Sequence, residues 1–226
     1  MGTSKYKKNN EQAHIKINNE FILDTPGKLI NKEEIDELYR YKSAICKIKV
    51  ENSSSGTGFF CEINDEAIPF KMVLFTNNHV LNEESIDINK KIKIEYCKEE
   101  KILKITENRK IFTNKDLDYT CIEIFDTDKI NKFFKFDENI LNDKNSLKNK
   151  GIFILQYPNG ELSHDSGIIL DTKNDILIHS VSKDIVSSGA PLMKRYNINF
   201  IMEYIMVGMR TLVIKINIIV LLFFLM

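Results

Sequence analysis

Val73-Leu74-Phe75-Thr76-Asn77-Asn78-His79-Val80 is the stretch on which the reading of this chain turns. An unbroken apolar run, part of a segment from Phe70 to Phe75, stops abruptly at polar residues. That is the pattern of a buried strand giving way to a loop. Similar segments lie on both sides of it. Ala44 to Val50 alternates apolar and polar residues, and Gly58 to Ile63 follows a Ser/Gly turn. Lys91 to Tyr96 alternates strictly, and Asp118 to Ile124 does so again. After a charged, Asn-rich connector over 126–150, a second series begins at Ile152 to Leu155 and continues through Gly167 to Leu170 and Asp175 to His179. Many short strands at this spacing predict a β-barrel or sandwich, with two units in tandem as one form of it. Asn31 as an N-cap, with Glu33 and Glu34 in the first turn, predicts a short helix to about Tyr39.

Composition narrows the classes. The chain has 226 residues, long for one domain and short for two independent ones. Lys plus Arg and Asp plus Glu number 32 each, so the net charge is zero, which removes the basic profile of a general nucleic-acid binder. At 43% hydrophobic residues a wholly disordered chain is excluded as well. Cys46, Cys61, Cys97 and Cys121 form no CxxC pair, and three of them sit in alternating apolar segments that suit buried free thiols. The N-terminus carries no apolar core of a secretory signal, and Tyr6 stands where a myristoylation pattern wants Ser or Thr, so an intracellular address with reduced thiols is expected. At the other end, charges thin out from Ile198, and Ile218 to Met226 is uninterrupted apolar sequence. A membrane span needs about 20 such residues. Arg210, Lys215 and Asn217 interrupt any longer window, which leaves a tail anchor over 198–226 as the minority reading.

Three segments could carry chemistry: His79 after its strand, Asp118 at the head of another, and Ser187-Ser188-Gly189-Ala190-Pro191-Leu192. Singly, each has a plain structural explanation as a surface histidine, a turn aspartate or a turn. Together they are the three types that nucleophilic catalysis needs. A serine hydroxyl requires a base within hydrogen-bond reach, and histidine titrates in the right range. The histidine in turn requires a carboxylate to set its tautomer. The chain order His, Asp, Ser is one of the known orders.

On these residues the sequence resembles the trypsin-like (chymotrypsin-fold) serine peptidases, in the short branch that includes HtrA-like domains, from about Ser43 to about Phe200. Gly56-Thr57-Gly58-Phe59-Phe60 matches the family's Gly-Ser-Gly-Phe turn, and Thr76-Asn77-Asn78-His79 matches its Thr-Ala-Ala-His. Asp118-Tyr119-Thr120-Cys121-Ile122 matches its aspartate-led strand, and Ser187 to Leu192 its Asp-Ser-Gly-Gly-Pro-Leu turn. The resemblance implies a mostly β fold of two tandem antiparallel six-stranded-type β-barrels, chymotrypsin-like, with the site between them. It implies an organisation of polar arm and short helix (1–40), first barrel (41–130), connector and truncated second barrel (131–200), and atypical apolar tail (201–226). It also implies peptide-bond hydrolysis with Ser188 as nucleophile, His79 as base and Asp118, rather than Asp116, as orienter. Ser187 is then a neighbour of the nucleophile. Backbone N–H groups of Ser188 and Val186 would hold the oxyanion, the substrate would be a polypeptide, and no cofactor would be needed.

Two departures bear on activity. Val186 stands where the family has glycine, and a β-branched residue resists torsions that glycine adopts. The family's following strand reads apolar-x-Gly-Ile-His-x-Gly-Gly, whereas this chain has Ile201-Met202-Glu203-Tyr204-Ile205-Met206-Val207-Gly208. Read from the third base of the Ile201 codon, these residues encode Tyr/His/Asn, Gly, Ile/Val, Tyr/His, Tyr/His/Asn and Gly, with a next codon that can be Gly. Both glycines are forced whatever the codon choice, so a change of reading frame near Ile201 is the expectation, with an incomplete second barrel as its consequence. A truncated pseudopeptidase that binds peptides without cleaving them is therefore the alternative to an active enzyme. His164 and His179 read as structural or surface residues, with approach to the substrate cleft as the alternative for His179; no cluster has metal-ligand spacing, and Gly56-Thr57-Gly58 lacks the Lys of a phosphate loop. Sequencing the gene and independent transcripts across codon 201 should reveal the frame change; an uninterrupted frame in all of them would remove it.

Overall fold

In a computed structural model the described residues are 36, 39–49, 55–63, 71–135, 147–173, 176–181, 188–196 and 199–206, and the side chains of 159, 172–177 and 194–206 lie outside the description. Among the described residues the strands run in order: β1 Ile45–Lys49, β2 Gly56–Glu62, β3 Met72–Thr76, β4 Lys91–Tyr96, β5 Glu99–Lys104, β6 Ile111–Asn114, β7 Tyr119–Glu123, β8 Phe134–Lys135, β9 Gly151–Gln156, β10 Ser163–Lys173, β11 Ile176–His179, β12 Pro191–Tyr196 and β13 Asn199–Met206. The first sheet has the path β5-β4-β1-β2-β3-β7-β6, with β8 added in parallel to β2. The second has the order β11-β10-β9-β12-β13. The fold is mostly β, with two antiparallel curled sheets in tandem, as expected.

The period-2 alternation sorts the side chains into three cores. Cys46, Ile48, Phe60, Leu74, Ile92, Ile94, Leu103 and Ile122 fill the first sheet's concave interior. Ile152, Ile154, Ile169, Val181 and Leu192 fill the second. The alternate residues of the first sheet, Ile45, Phe59, Cys61, Val73, Phe75, Tyr119 and Cys121, meet Phe153, Leu155, Tyr157 and Met193 of the second. Strands buried on both faces read as near-continuous apolar runs. That explains β2: Phe59 stacks on Phe75 at 5.6 Å in the shared core, while Phe60 meets Tyr96 edge-on at 5.4 Å in the barrel interior. Gly58 is required in the same strand, because a Cβ there would stand 2.8 Å from both Ile48 Cδ1 and Leu74 Cδ1.

Several elements depart from expectation or extend it. β5, β6, β8, β12 and β13 carry no strand pattern of their own in the sequence, and β10 runs well beyond 167–170. The connector opens with a turn at Asp126–Asp128, where Asp128 makes a buried two-point ion pair with Arg109 at 2.8 and 2.9 Å. Arg109 also donates to the carbonyls of Lys104 and Glu123, pinning the turn before β6 to the end of β7. The expected helix start at Asn31 lies outside the described residues; Asp36, Tyr39 and Arg40 are helical and lead into a 3-10 turn at Tyr41–Ala44. A strand does follow Leu192: β12 continues into β13, with Ile201 opposite Lys194. Among the described residues β11 and β13 are the two ends of their sheet. His164 is exposed with its ring edge-on to Tyr39 at 6.3 Å, and His179 lies in β11 opposite Ile169. Cys46, Cys61 and Cys121 are buried free thiols and Cys97 is exposed in the β4–β5 turn.

Tyr119 is fully buried, and its hydroxyl has no partner among the described residues. Burial pushes its phenol, and that of Tyr157, up to about 12 from the ordinary value of 10. The folded state therefore keeps protons that the unfolded chain releases. This stability is fully present below about pH 10 and is lost as pH rises through about 12. Replacing Tyr119→Phe should leave stability at neutral pH within about 1 kcal/mol, since no bond is lost. It should also flatten the alkaline decline, as measured by urea unfolding at both pH values. A loss of several kcal/mol at neutral pH would show that the hydroxyl is bonded.

Candidate active site

The antiparallel pairing of β3 with β7 places Thr76 opposite Thr120. Chain leaving β3 therefore passes chain entering β7, so His79, three residues beyond Thr76, meets Asp118, two before Thr120. The Asp118 carboxylate lies 2.9 and 2.7 Å from His79 Nδ1 through its two oxygens, and Oδ1 also accepts from the His79 main-chain N–H at 3.0 Å. An ionised carboxylate can only accept, so Nδ1 carries the proton and Nε2 is left as the acceptor. The His79 side chain is half-exposed. Asp118, not Asp116, makes the contact. Asp118 adopts φ +53°, in the left-handed region, closing a turn in which its N–H donates to the Lys115 carbonyl. Aspartate tolerates that region better than most residues.

Two asparagines precede the histidine, and both are buried. Asn77 Nδ2 donates to the Asp118 main-chain carbonyl at 2.8 Å, whereas its Oδ1 is buried without a partner among the described residues. A neutral hydrogen bond stabilises by about 1 kcal/mol net, and a buried unpartnered acceptor costs roughly 1–3 kcal/mol. Asn77 therefore contributes nothing to stability on balance. Asn78 points elsewhere, donating to Thr113 Oγ1 at 2.7 Å and to Glu83 at 3.3 Å. Thr120 Oγ1, 2.7 Å from Thr113 Oγ1, donates to the Leu81 carbonyl at 2.6 Å.

Ser188 comes from the other sheet, in the turn that leads into β12. Its carbonyl accepts from Thr57 N–H at 2.8 Å. Gly189 has φ +85°, and a Cβ there would overlap the Thr57 carbonyl oxygen and Thr76 Oγ1. Only glycine allows both the torsion and the approach. The Ser188-Gly189 turn thus rests on β2 and on the end of β3, from which the His79 loop springs. Among the described residues the His79 ring bonds to Asp118, and no hydrogen bond joins it to the Ser188 hydroxyl. Val186, the other expected oxyanion donor, and Ser187 lie outside the described residues.

Thr57, which in the sequence is only part of the Gly56-Thr57-Gly58 turn motif, joins the sheets. Besides its N–H on Ser188, its Oγ1 accepts from Tyr157 N–H at 3.1 Å, and its carbonyl accepts from Thr76 Oγ1 at 2.8 Å. The only sequence signal was a polar residue between two glycines in an apolar strand.

No family model matches the sequence, and no curated protein matches it. Solved structures do. A human pathogenic astrovirus serine protease matches with TM-score 0.53 and 15% identity over 78% of this chain and 92% of that one. The serine endoprotease from Yersinia pestis matches with TM-score 0.56 and 13% identity, over 80% of this chain and 59% of that one. The active form of the Rv3671c protease from M. tuberculosis matches with TM-score 0.55 and 11% identity, over 86% of each chain. At these identities the likeness concerns the fold, which is that of the trypsin-like serine proteases.

Thr57→Val keeps the shape of the side chain and removes the acceptor for Tyr157 N–H. It should cost about 1–3 kcal/mol in denaturant unfolding, the penalty for a buried amide left unpaired. A neutral result would mean that the two sheets hold together without this bond.

Proposed function

We propose that this chain is a serine endopeptidase acting through Ser188, His79 and Asp118. The observation that carries the reading is the doubly bonded Asp118 carboxylate on His79 Nδ1, which leaves Nε2 free to accept a proton. The Ser188-Gly189 turn, seated on the strand end that precedes His79, supports the assignment of the nucleophile. In this mechanism Ser188 Oγ attacks the scissile carbonyl of a polypeptide while its proton passes to His79 Nε2. The imidazolium, stabilised by Asp118, then delivers that proton to the departing amine, leaving an acyl-enzyme. Water activated by the same nitrogen releases the acid and restores Ser188. Main-chain N–H groups of Ser188 and Val186 are assigned to the oxyanion, and removing one such donor costs roughly 3–4 kcal/mol of transition-state stabilisation. No cofactor enters.

A second reading, a pseudopeptidase that binds peptides without cleaving them, is favoured by Val186 in a glycine position and by a His79 ring bonded to Asp118 but not to Ser188. The strand that follows Leu192 favours the enzyme. Of the tail anchor expected over 198–226, residues 207–226 lie outside the described residues and 199–206 form β13; among the described residues no helix is long and apolar enough to cross a membrane.

A fluorophosphonate probe separates the readings. The purified chain should label at Ser188, and Ser188→Ala and His79→Ala should abolish labelling. Asp118→Asn should slow it by on the order of 10⁴, because an amide favours the wrong histidine tautomer. Folded protein that takes up no probe would favour the pseudopeptidase.

A further inference from the structure

We propose that Asn77 is a positioning residue for the His79–Asp118 pair, a role that rests on the peptidase reading for its catalytic meaning but not for its geometry. The segment 77–79 grips Asp118 at two separate places. His79 holds the carboxylate through its ring and its main-chain N–H. Asn77 Nδ2 holds the main-chain carbonyl. The second grip matters because Asp118 sits at φ +53°, a conformation from which an L-residue gains by escaping. Escape to negative φ would swing the Cα–Cβ bond and carry the carboxylate off His79. Fixing the carbonyl fixes the peptide plane that follows Asp118, and with it the direction from which the side chain leaves.

The orientation of the amide follows from the chemistry, since only Nδ2 can donate to a carbonyl. Its cost is visible too: Oδ1 is buried and unpartnered among the described residues, in a side chain only 2% exposed. An alanine would avoid that cost, and alanine is what the Thr-Ala-Ala-His pattern has at this position. A residue whose amide adds no net stability yet holds the carbonyl of a strained aspartate is placed for position. Asn78 provides the internal control. It is the adjacent residue, equally an asparagine and equally buried, but its bonds run to Thr113 and Glu83 and not to Asp118.

The test uses the full chain with Asn77→Ala, Asn77→Leu and Asn78→Ala. Leucine fills the volume of asparagine without a donor, so it covers the case in which a cavity prevents the alanine variant from folding. Two readouts are taken: the downfield proton resonance of the hydrogen-bonded His79 Nδ1–H, assigned by its loss in His79→Ala, and the rate of fluorophosphonate labelling. In both Asn77 variants the resonance should broaden or vanish and labelling should slow at least about tenfold, in keeping with the steep dependence of rate on placement. Asn78→Ala should keep the resonance. If the Asn77 variants retain resonance and rate, or if Asn78→Ala loses the resonance to the same degree, the proposal is overturned. If the unmodified chain shows the resonance but takes no label, while the Asn77 variants lose the resonance, the positioning role stands and the peptidase reading falls.

Discussion

Thr57 is the constraint on which the arrangement depends. Its N–H, hydroxyl and carbonyl each serve a different element: the Ser188 turn, the start of the segment after β9, and the end of β3. Two of these adjoin strands of the second sheet and one belongs to the first, so a single buried residue bonds to both units. The candidate site sits across that junction. His79 and Asp118 belong to one sheet and Ser188 to the other, and their relative position follows from how the Ser188-Gly189 turn lies on Thr57 and Thr76. Buried polar atoms of this kind must be paired, which makes the junction specific where apolar packing alone would allow sliding.

Around that point the packing is simple. Each strand of the first sheet shows one face to its own interior and the other to the second sheet or to solvent. β2 is covered on both faces, and its glycines admit Ile48, Leu74 and Val80 where a Cβ would collide. Off the central strands the logic changes. Arg109 and Asp128 form a buried ion pair satisfied by carbonyls and capped by the Phe125 ring at 4.3 Å, which ties a turn to the connector. Such a pair is worth little against an apolar equivalent but is costly to break on one side, so it fixes a loop path more than it stabilises the fold.

Much of the fold was legible because the alternation in β1, β4 and β7 and the unbroken apolar runs of β3 and β9 are the direct imprint of strands with one or two buried faces. The unforeseen strands lack that imprint for identifiable reasons. β5 reads Glu99-Glu100-Lys101-Ile102-Leu103-Lys104, with Leu103 its only fully buried residue, because it is the end strand of its path. β8 is two residues long and exists because β2 offers it an edge. β12 follows a glycine-proline turn that reads as loop. In the site, His79, Asp118 and Ser188 could be named from residue type and order, since the chemistry requires those types. Thr57 and Asn77 could not, because a threonine in a strand and an asparagine before a histidine have ordinary local explanations.

The sequence by itself determined the β-class, the order of the main strands, the three candidate catalytic residues and the choice of Asp118 over Asp116, since the alternation begins just after Asp118. These are local properties, read from period and residue type. Only the tertiary structure decided that His79 Nδ1 faces the Asp118 carboxylate, that Asn77 bonds the main-chain carbonyl of a left-handed Asp118, and that one threonine joins the two sheets. Those facts depend on register between strands far apart in the chain, where a shift of one residue would turn every side chain to the opposite face.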